Sequence, residues 1–150
     1  MIFRKAVIED LPNIVQLLAD DELGTTRERY ETPLPDSYIE AFNAIEAQVG
    51  NQLLLAVEGA SIIGCLQLTI IPGLARQGMK RAQIEGVRVA QNQRGTQVGE
   101  ALFKEAMVIA KAEHCGLVQL TTDKKRKDAH RFYARLGFIA SHEGMKFICP

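Results

Sequence analysis

The chain has 150 residues, 47% hydrophobic and 24% charged, with eighteen basic residues against eighteen acidic ones. That length suits one hydrophobic core and excludes two ordinary domains, so residues 1–150 are read as one domain. Zero net charge excludes a global pull toward nucleic acid or an anionic membrane, and no apolar run approaches the roughly 20 residues that span a bilayer.

Residues 2–8 set Ile2, Arg4 and Ala6 against Phe3, Lys5 and Val7, and this alternation predicts a strand. Asp10 is placed to cap the helix that follows, and Pro12 fits its first turn. Ile14, Leu17 and Leu18 form that helix's apolar face. Residues 20–35 are polar and weakly patterned, which predicts an irregular loop or lid before a second helix at about 36–49. Tyr38, Phe42 and Ile45 mark its packed side, although Tyr30 and Tyr38 are also candidates to touch a ligand. Residues 52–57 and 61–71 read as two strands of a hairpin around Gly59. Pro72, Gly73 and Gly78 bound an accessible loop, whose Arg76, Lys80 and Arg81 either face an acidic ligand or are solvated.

Residues 84–99 organise the chain. Val87 and Val89 share one face of a strand, and Asn92, Gln93, Arg94 and Gly95 are turn formers or flexible polar residues. From Val98 the apolar spacing becomes Val98, Leu102, Ala106 and Ile109, a helical stripe. The helix is expected over about 96–114, with Cys115 and Gly116 closing it. A glycine-containing turn from strand to helix brings unpaired N–H groups together, and these can hold phosphate or pyrophosphate. Glycine can equally serve the turn geometry alone. G-x-G-x-x-G is absent, and Gly95 and Gly99 are followed by Glu100 and Ala101, so this is neither a dinucleotide fingerprint nor a P-loop.

Residues 117–122 predict another strand, and 123–128 a strongly basic connection. A short helix follows, with Ala129, Phe132, Tyr133 and Leu136 on its apolar side and Gly137 placed to end it. Residues 138–140 and 146–149 look like two last strands joined around Glu143 and Gly144. Strands alternate with helices, yet neighbouring strands can pair as hairpins. An α/β fold with a mixed, mostly antiparallel central sheet flanked by helices therefore fits better than a parallel doubly wound one. Cys65, Cys115 and Cys149 lack metal-ligand spacing, so no metal site is expected. Cys65 and Cys115 lie in apolar runs, where a free cysteine acts as a small hydrophobe. With no secretory leader apparent, the cysteines suit a reducing, cytoplasmic setting.

Two separated stretches resemble the GNAT superfamily of N-acyltransferases. Val87-Arg88-Val89 with Gln93-Arg94-Gly95-Thr96-Gln97-Val98-Gly99 is similar to that family's acyl-CoA-binding strand, loop and helix start. Asp128-Ala129-His130-Arg131-Phe132-Tyr133-Ala134-Arg135-Leu136-Gly137-Phe138 is similar to its C-terminal helix and following strand. Element order and length extend the resemblance over the whole chain. Gln97 departs from the family's usual glycine; if it keeps ordinary helical dihedrals, only local crowding changes. Arg126 stands where many relatives have asparagine near the pantetheine arm, and it either meets a cofactor phosphate or faces water.

The resemblance implies a single-domain GNAT fold with acetyl-CoA as acyl donor. It implies a V-shaped opening between the strand of Val87 and Val89 and the strand at 117–122. The pantetheine arm would use backbone groups at Val87 and Val89, flanking Arg88. The pyrophosphate would meet N–H groups of Arg94, Gly95, Thr96, Gln97, Val98 and Gly99. Charge-assisted hydrogen bonds and the helix N-terminal field suit that placement, and a backbone nest needs no Walker lysine.

Acyl transfer from a thioester to an amine must remove a proton from the amine, stabilise an oxyanion and help a thiolate leave. Glu85 precedes the two valines and is expected to share their strand face, as base or as anchor of the substrate amine. Its alternative role is a salt bridge with Arg88 or Lys80. Tyr133 resembles the family tyrosine near the cofactor sulfur, so its hydroxyl would protonate or hydrogen-bond the leaving thiolate; periodicity alone makes it a core aromatic. His114, His130 and His142 join no nucleophilic triad, which leaves direct attack by the amine without a covalent acyl-enzyme. The expected acceptor is a primary amine of a small molecule or peptide, held by segments 20–35 and 72–80. Asp20, Asp21 and Glu22 either attract a cationic acceptor or form a solvated edge. The alternative from another class is a CoA-responsive binding or regulatory protein, kept open by Gln97. Lys124-Lys125-Arg126-Lys127 is basic but lacks aromatic interleaving, so nucleic acid is not an expected partner. A homodimer is compatible with the chain.

Overall fold

The computed structural model describes residues 1–21 and 23–150. β1 (Ile2–Lys5) leads through a 3-10 turn (Ile8–Asp10) to α1 (Leu11–Ala19), α2 (Gly24–Arg27) and α3 (Asp36–Ala47). Next come β2 (Asn51–Glu58), β3 (Ser61–Ile71), the single turn α4 (Ala75–Gly78) and β4 (Arg81–Val89). α5 (Val98–Ala112), β5 (Leu117–Gln119) and α6 (Lys127–Arg135) follow. Residues 1–119 make one compact unit and residues 120–150 another.

In the first unit the five strands lie in the order β1-β2-β3-β4-β5. The first three pairings are antiparallel and β4 pairs β5 in parallel. This is the mixed, mostly antiparallel sheet expected from the sequence. The parallel joint requires a crossover, which α5 supplies.

Strand register sorts the side chains onto two faces. Leu53, Leu55, Val57 and Cys65 share one face and pack with Leu11, Ile14 and Val15 of α1 and with Phe42 of α3. Leu54, Leu66 and Leu68 point to the other. A side-chain carbon added at Gly64, on that second face, would lie 3.4 Å from Val98 and 3.5 Å from Leu102, so α5 packs there. Leu55, Leu66, Leu68, Leu102 and Phe103 are fully buried. Burial of each such side chain contributes roughly 1.5–3 kcal/mol.

Several local expectations change. The first strand stops at Lys5, and Asp10 does not cap α1: its own backbone is helical (φ −78°, ψ −15°) and its side chain makes no cap bond. Its carboxylate turns back instead. It accepts the Val7 N–H at 2.8 Å and two bonds from the Arg4 guanidinium at 2.7 and 2.9 Å. α5 ends at a left-handed His114 (φ 63°), earlier than the expected Cys115-Gly116 closure. His114 N–H donates to Lys111 and Cys115 N–H to Ala110, both at 3.0 Å, the paired bonds of a Schellman motif.

In the second unit Gly137 ends α6 as expected, with its N–H donating to Ala134 and that of Phe138 to Tyr133, both at 3.0 Å. The two strands expected at 138–140 and 146–149 are not formed. Such short strands need a ladder partner and an apolar surface to cover, and Ile139, Met145, Phe147 and Ile148 are all at least 80% exposed.

The Arg4–Asp10 pair gives a pH test. The Arg4 hydrogen bonds hold the Asp10 carboxyl below its ordinary value, against the opposing effect of burial. A lowered folded-state value means that the stabilisation is complete above the unfolded value of about 4 and is lost as pH falls through the folded one. Asp10→Asn should cost about 1–2 kcal/mol at pH 7, allowing for the partial exposure of Arg4. Urea unfolding at pH 7 and below pH 4 should show the difference between variant and parent shrinking with acidity.

Candidate active site

β4 contains one residue more than its partner allows. Glu85 lies opposite Gln67 and Arg88 opposite Cys65, so three steps on β4 face two on β3. The extra residue sits at Gly86 and Val87, and Gly86 has φ 62°, which glycine adopts without steric cost. The bulge reverses the alternation. Glu85 therefore shares a face with Arg88, whereas Val89, opposite Gly64, points to the other side. The expected common face of Glu85 and the valines is corrected by this one residue, and Val87 lies in the bulge itself. Glycine inside an alternating strand run was the available signal.

β5 pairs only with Arg81, Ala82 and Gln83. Residues 84–89 of β4 continue past it with no β5 partner. The Val87 carbonyl accepts from Arg88 Nη1 at 2.8 Å, and the Val89 carbonyl from Arg94 Nε at 3.3 Å.

A 3-10 turn (Gln91–Gln93) then carries the chain toward α5. Arg94 Nη2 donates to the Asp20 carbonyl at 2.9 Å, and the Thr96 hydroxyl donates to the Gln93 carbonyl. Gly95 is left-handed at φ 82°, and a side-chain carbon there would meet no atom within 4 Å. Gln97 is left-handed too, at φ 71° and ψ 8°. The condition under which only local crowding would change, ordinary helical dihedrals, is thus not met: the turn into α5 has a left-handed residue there, a conformation in which glycine would be relaxed. Gln97 gives α5 no side-chain cap. The first N–H groups of α5, which begins at Val98 and Gly99, are left without a cap from the Gln97 side chain. Glu100 in that turn is tied to Lys104 at 2.9 Å. Backbone donors left uncapped by a side chain at a helix start are of the kind that suits a pyrophosphate.

Glu85 is exposed and has no ion-pair partner among the described residues. Arg88, its expected alternative partner, pairs with Asp21 at 2.9 Å. The Asp21 carboxylate also accepts the Gly24 N–H, so that charge is committed to the α1–α2 corner. Glu22 lies outside the described residues. Burial pushes the Cys65 thiol up to about 12, with Arg88 only partly offsetting it. A neutral, buried thiol is no nucleophile.

Tyr38 is structural: its hydroxyl donates to Glu28 at 2.7 Å and accepts the Arg29 N–H at 2.9 Å. Tyr30 is exposed and borders a groove of about 810 Å³ with Asn13, Gln16 and Asn92. In the second unit Tyr133 is half-buried on α6, edge-on to Phe132 at 5.5 Å and to Phe138 at 5.9 Å. Arg126 precedes the first turn of that helix, where its carbonyl accepts the His130 N–H at 3.1 Å. With Lys125 and Lys127 it lines a cavity of about 390 Å³. No group of three metal-ligating side chains occurs among the described residues. None of the described helices is long and apolar enough to cross a membrane.

Residues 14–138 match the family model described as the acetyltransferase (GNAT) family. The chain belongs to the GNAT family. A Bacillus halodurans C-125 protein named as a transcriptional regulator is 50% identical to this GNAT chain, with a TM-score of 0.95 and 99% of both chains covered. A candidate acetyltransferase from Agrobacterium tumefaciens str. C58 is 26% identical, with a TM-score of 0.86 over 99% of this chain and 100% of the other. The aminoalkylphosphonate N-acetyltransferase of Salmonella typhimurium is 32% identical over 88 residues, 59% of this chain and 56% of that one. The GNAT chain thus matches little more than half the length of that relative.

The two left-handed loop residues make opposite stability predictions. Gln97→Gly should stabilise the GNAT fold by about 1 kcal/mol by relieving a left-handed side chain, and Gly95→Val should destabilise it by about 1–2 kcal/mol. Thermal unfolding should move by roughly 2–4 °C per kcal/mol in a chain of this size.

Proposed function

We propose that this GNAT protein transfers the acetyl group of acetyl-CoA to a primary amine of a small molecule or peptide. The observation that carries the proposal is an exposed Glu85 carboxylate on β4, with no ion-pair partner among the described residues, beside a bulge and ahead of a helix that the Gln97 side chain does not cap. The family membership supports an acetyltransferase, and the aminoalkylphosphonate N-acetyltransferase relative supports a small amine as acceptor. Residues 1–150 are taken as one GNAT N-acetyltransferase domain. Its free cysteines suit a cytoplasmic setting.

Acetyl-CoA supplies the thioester. Residues 94–99 hold its pyrophosphate by backbone N–H groups, and the backbone at Val87 and Val89 carries the pantetheine arm. Arg126 takes a cofactor phosphate. Glu85 takes a proton from the ammonium, directly or through water, and the neutral amine nitrogen then bonds to the acetyl carbon in a ternary complex. The C–S bond breaks, the Tyr133 hydroxyl protonates the departing thiolate, and the second proton leaving the nitrogen passes to solvent, from which the Tyr133 hydroxyl is restored; the motif around Tyr133 supports that assignment. No covalent acyl-enzyme is needed, which agrees with the neutral Cys65 thiol.

A second reading is a CoA-responsive regulatory protein, favoured by the name of the 50% identical relative. Thiol release with varied amines separates the two, because regulation without turnover releases none. Gly95→Val should weaken acetyl-CoA binding about tenfold by calorimetry, from backbone strain rather than crowding. Unchanged affinity in the folded variant would sink the pyrophosphate placement.

Glu85→Gln should keep cofactor affinity and lose roughly 10²–10⁴-fold in turnover, with partial rescue at high pH as neutral amine becomes available. Tyr133→Phe should slow turnover less for donors with better leaving groups. Parental rates across pH in both folded variants would refute the acid–base assignment.

A further inference from the structure

The sheet face that bears Glu85 changes character along its length. At Leu53, Leu55 and Cys65 it is apolar and packed. One end instead carries a polar row across four strands, where Asn51 lies opposite Thr69, Thr69 opposite Gln83, and Gln83 opposite Gln119. Gln67 stands in the adjoining rung, opposite Glu85. Asn51, Gln67, Thr69, Gln83 and Gln119 are all half-buried. Asparagine and glutamine gain little from a sheet surface, where β-branched and aromatic residues pack better. Fold stability alone does not explain the row.

Hydrogen bonds fix these side chains. Gln67 Nε2 donates to Asn51 Oδ1 at 3.0 Å, and the Thr69 hydroxyl donates to the same oxygen at 3.2 Å. Asn51 Nδ2 donates to Gln48 at 2.9 Å, and Gln119 Nε2 donates to Gln83 Oε1 at 3.1 Å. Among the described residues, Gln67 Oε1 and Gln119 Oε1 remain as acceptors, and Gln83 Nε2 as a donor, without side-chain partners. None of these atoms is sealed from solvent. The row is thus preorganised, uncharged, and offers donors and acceptors together.

We propose that this row recognises the acceptor, and that the acceptor is a small polyhydroxylated primary amine whose nitrogen points to Glu85. The proposal rests on the acetyl-transfer reading above. A hydroxyl both donates and accepts, so one functional group satisfies all three open amide atoms. Neighbouring strands are about 4.8 Å apart, a span that a sugar ring or short polyol bridges. A plain alkyl chain would cover the amide groups and leave them unpaired, which is costly. Arg88, on the same face, lies 2.9 Å from the Asp21 carboxylate.

The test uses the full chain with acetyl-CoA and three probes: glucosamine, glucamine and hexylamine. Thiol release should favour the better polyhydroxylated amine over hexylamine at least tenfold in kcat/KM. Gln83→Leu and Gln119→Leu should each raise its KM about tenfold with kcat within a factor of two, while lowering the KM for hexylamine. Saturation-transfer NMR reads binding without turnover. Saturation transfer to a polyhydroxylated amine that is lost in Gln83→Leu supports the surface even if no thiol is released, and then the transferase reading falls instead. No saturation transfer to either polyhydroxylated amine overturns the inference, as does a KM shift equal for all three amines in both variants.

Discussion

The bulge in β4 is the constraint on which the candidate site depends. A regular ladder would carry Glu85, Val87 and Val89 along one face. One added residue at Gly86 and Val87 breaks that phase, bringing Glu85 and Arg88 to the face where α1 and α3 pack. The same strand loses its parallel partner after Gln83. A strand paired with β3 along one edge and with β5 only as far as Gln83 on the other is not a full sheet edge. Sheet edges of that kind invite pairing with other chains unless shortened or twisted, and a bulge supplies local twist.

The loop after β4 solves a second problem, that of starting a helix without a side-chain cap. N-caps usually combine extended backbone with a short polar side chain. Gln97 has neither, and its left-handed conformation stores strain at the helix entrance. Strain at that point persists only because neighbours fix it: Arg94 is anchored to the Asp20 carbonyl and Val98 is buried. α5 is secured by its buried residues Val98, Leu102, Phe103, Ala106 and Ala110.

Much of this was legible in the residues. Alternation around Gly59 set the β2–β3 hairpin, the change of period at Val98 marked α5, and Gly137 ended its helix as a glycine at that position should. The family resemblance rested on two short motifs, and the chain is a family member. Features decided by a distant partner were not legible. The bulge follows from how β4 pairs with β3, and the ion pair of Arg88 with Asp21 joins residues far apart in sequence. Asp10 had two local uses for its carboxylate, and the bidentate Arg4 contact outweighed a helix cap. The polar row shows only once register aligns Asn51, Thr69, Gln83 and Gln119, since each alone is an ordinary surface residue. The last strands failed because alternation says nothing about whether a ladder partner exists.

The cysteines differ enough in environment to act as a clock. Cys149 is exposed, Cys115 is partly buried with its thiol raised chiefly by burial, and Cys65 is sealed beneath the sheet. Alkylation depends on both access and thiolate fraction. Modification of Cys149 then measures the reagent, while modification of Cys65 measures how often the core between α1, α3 and the sheet opens to solvent.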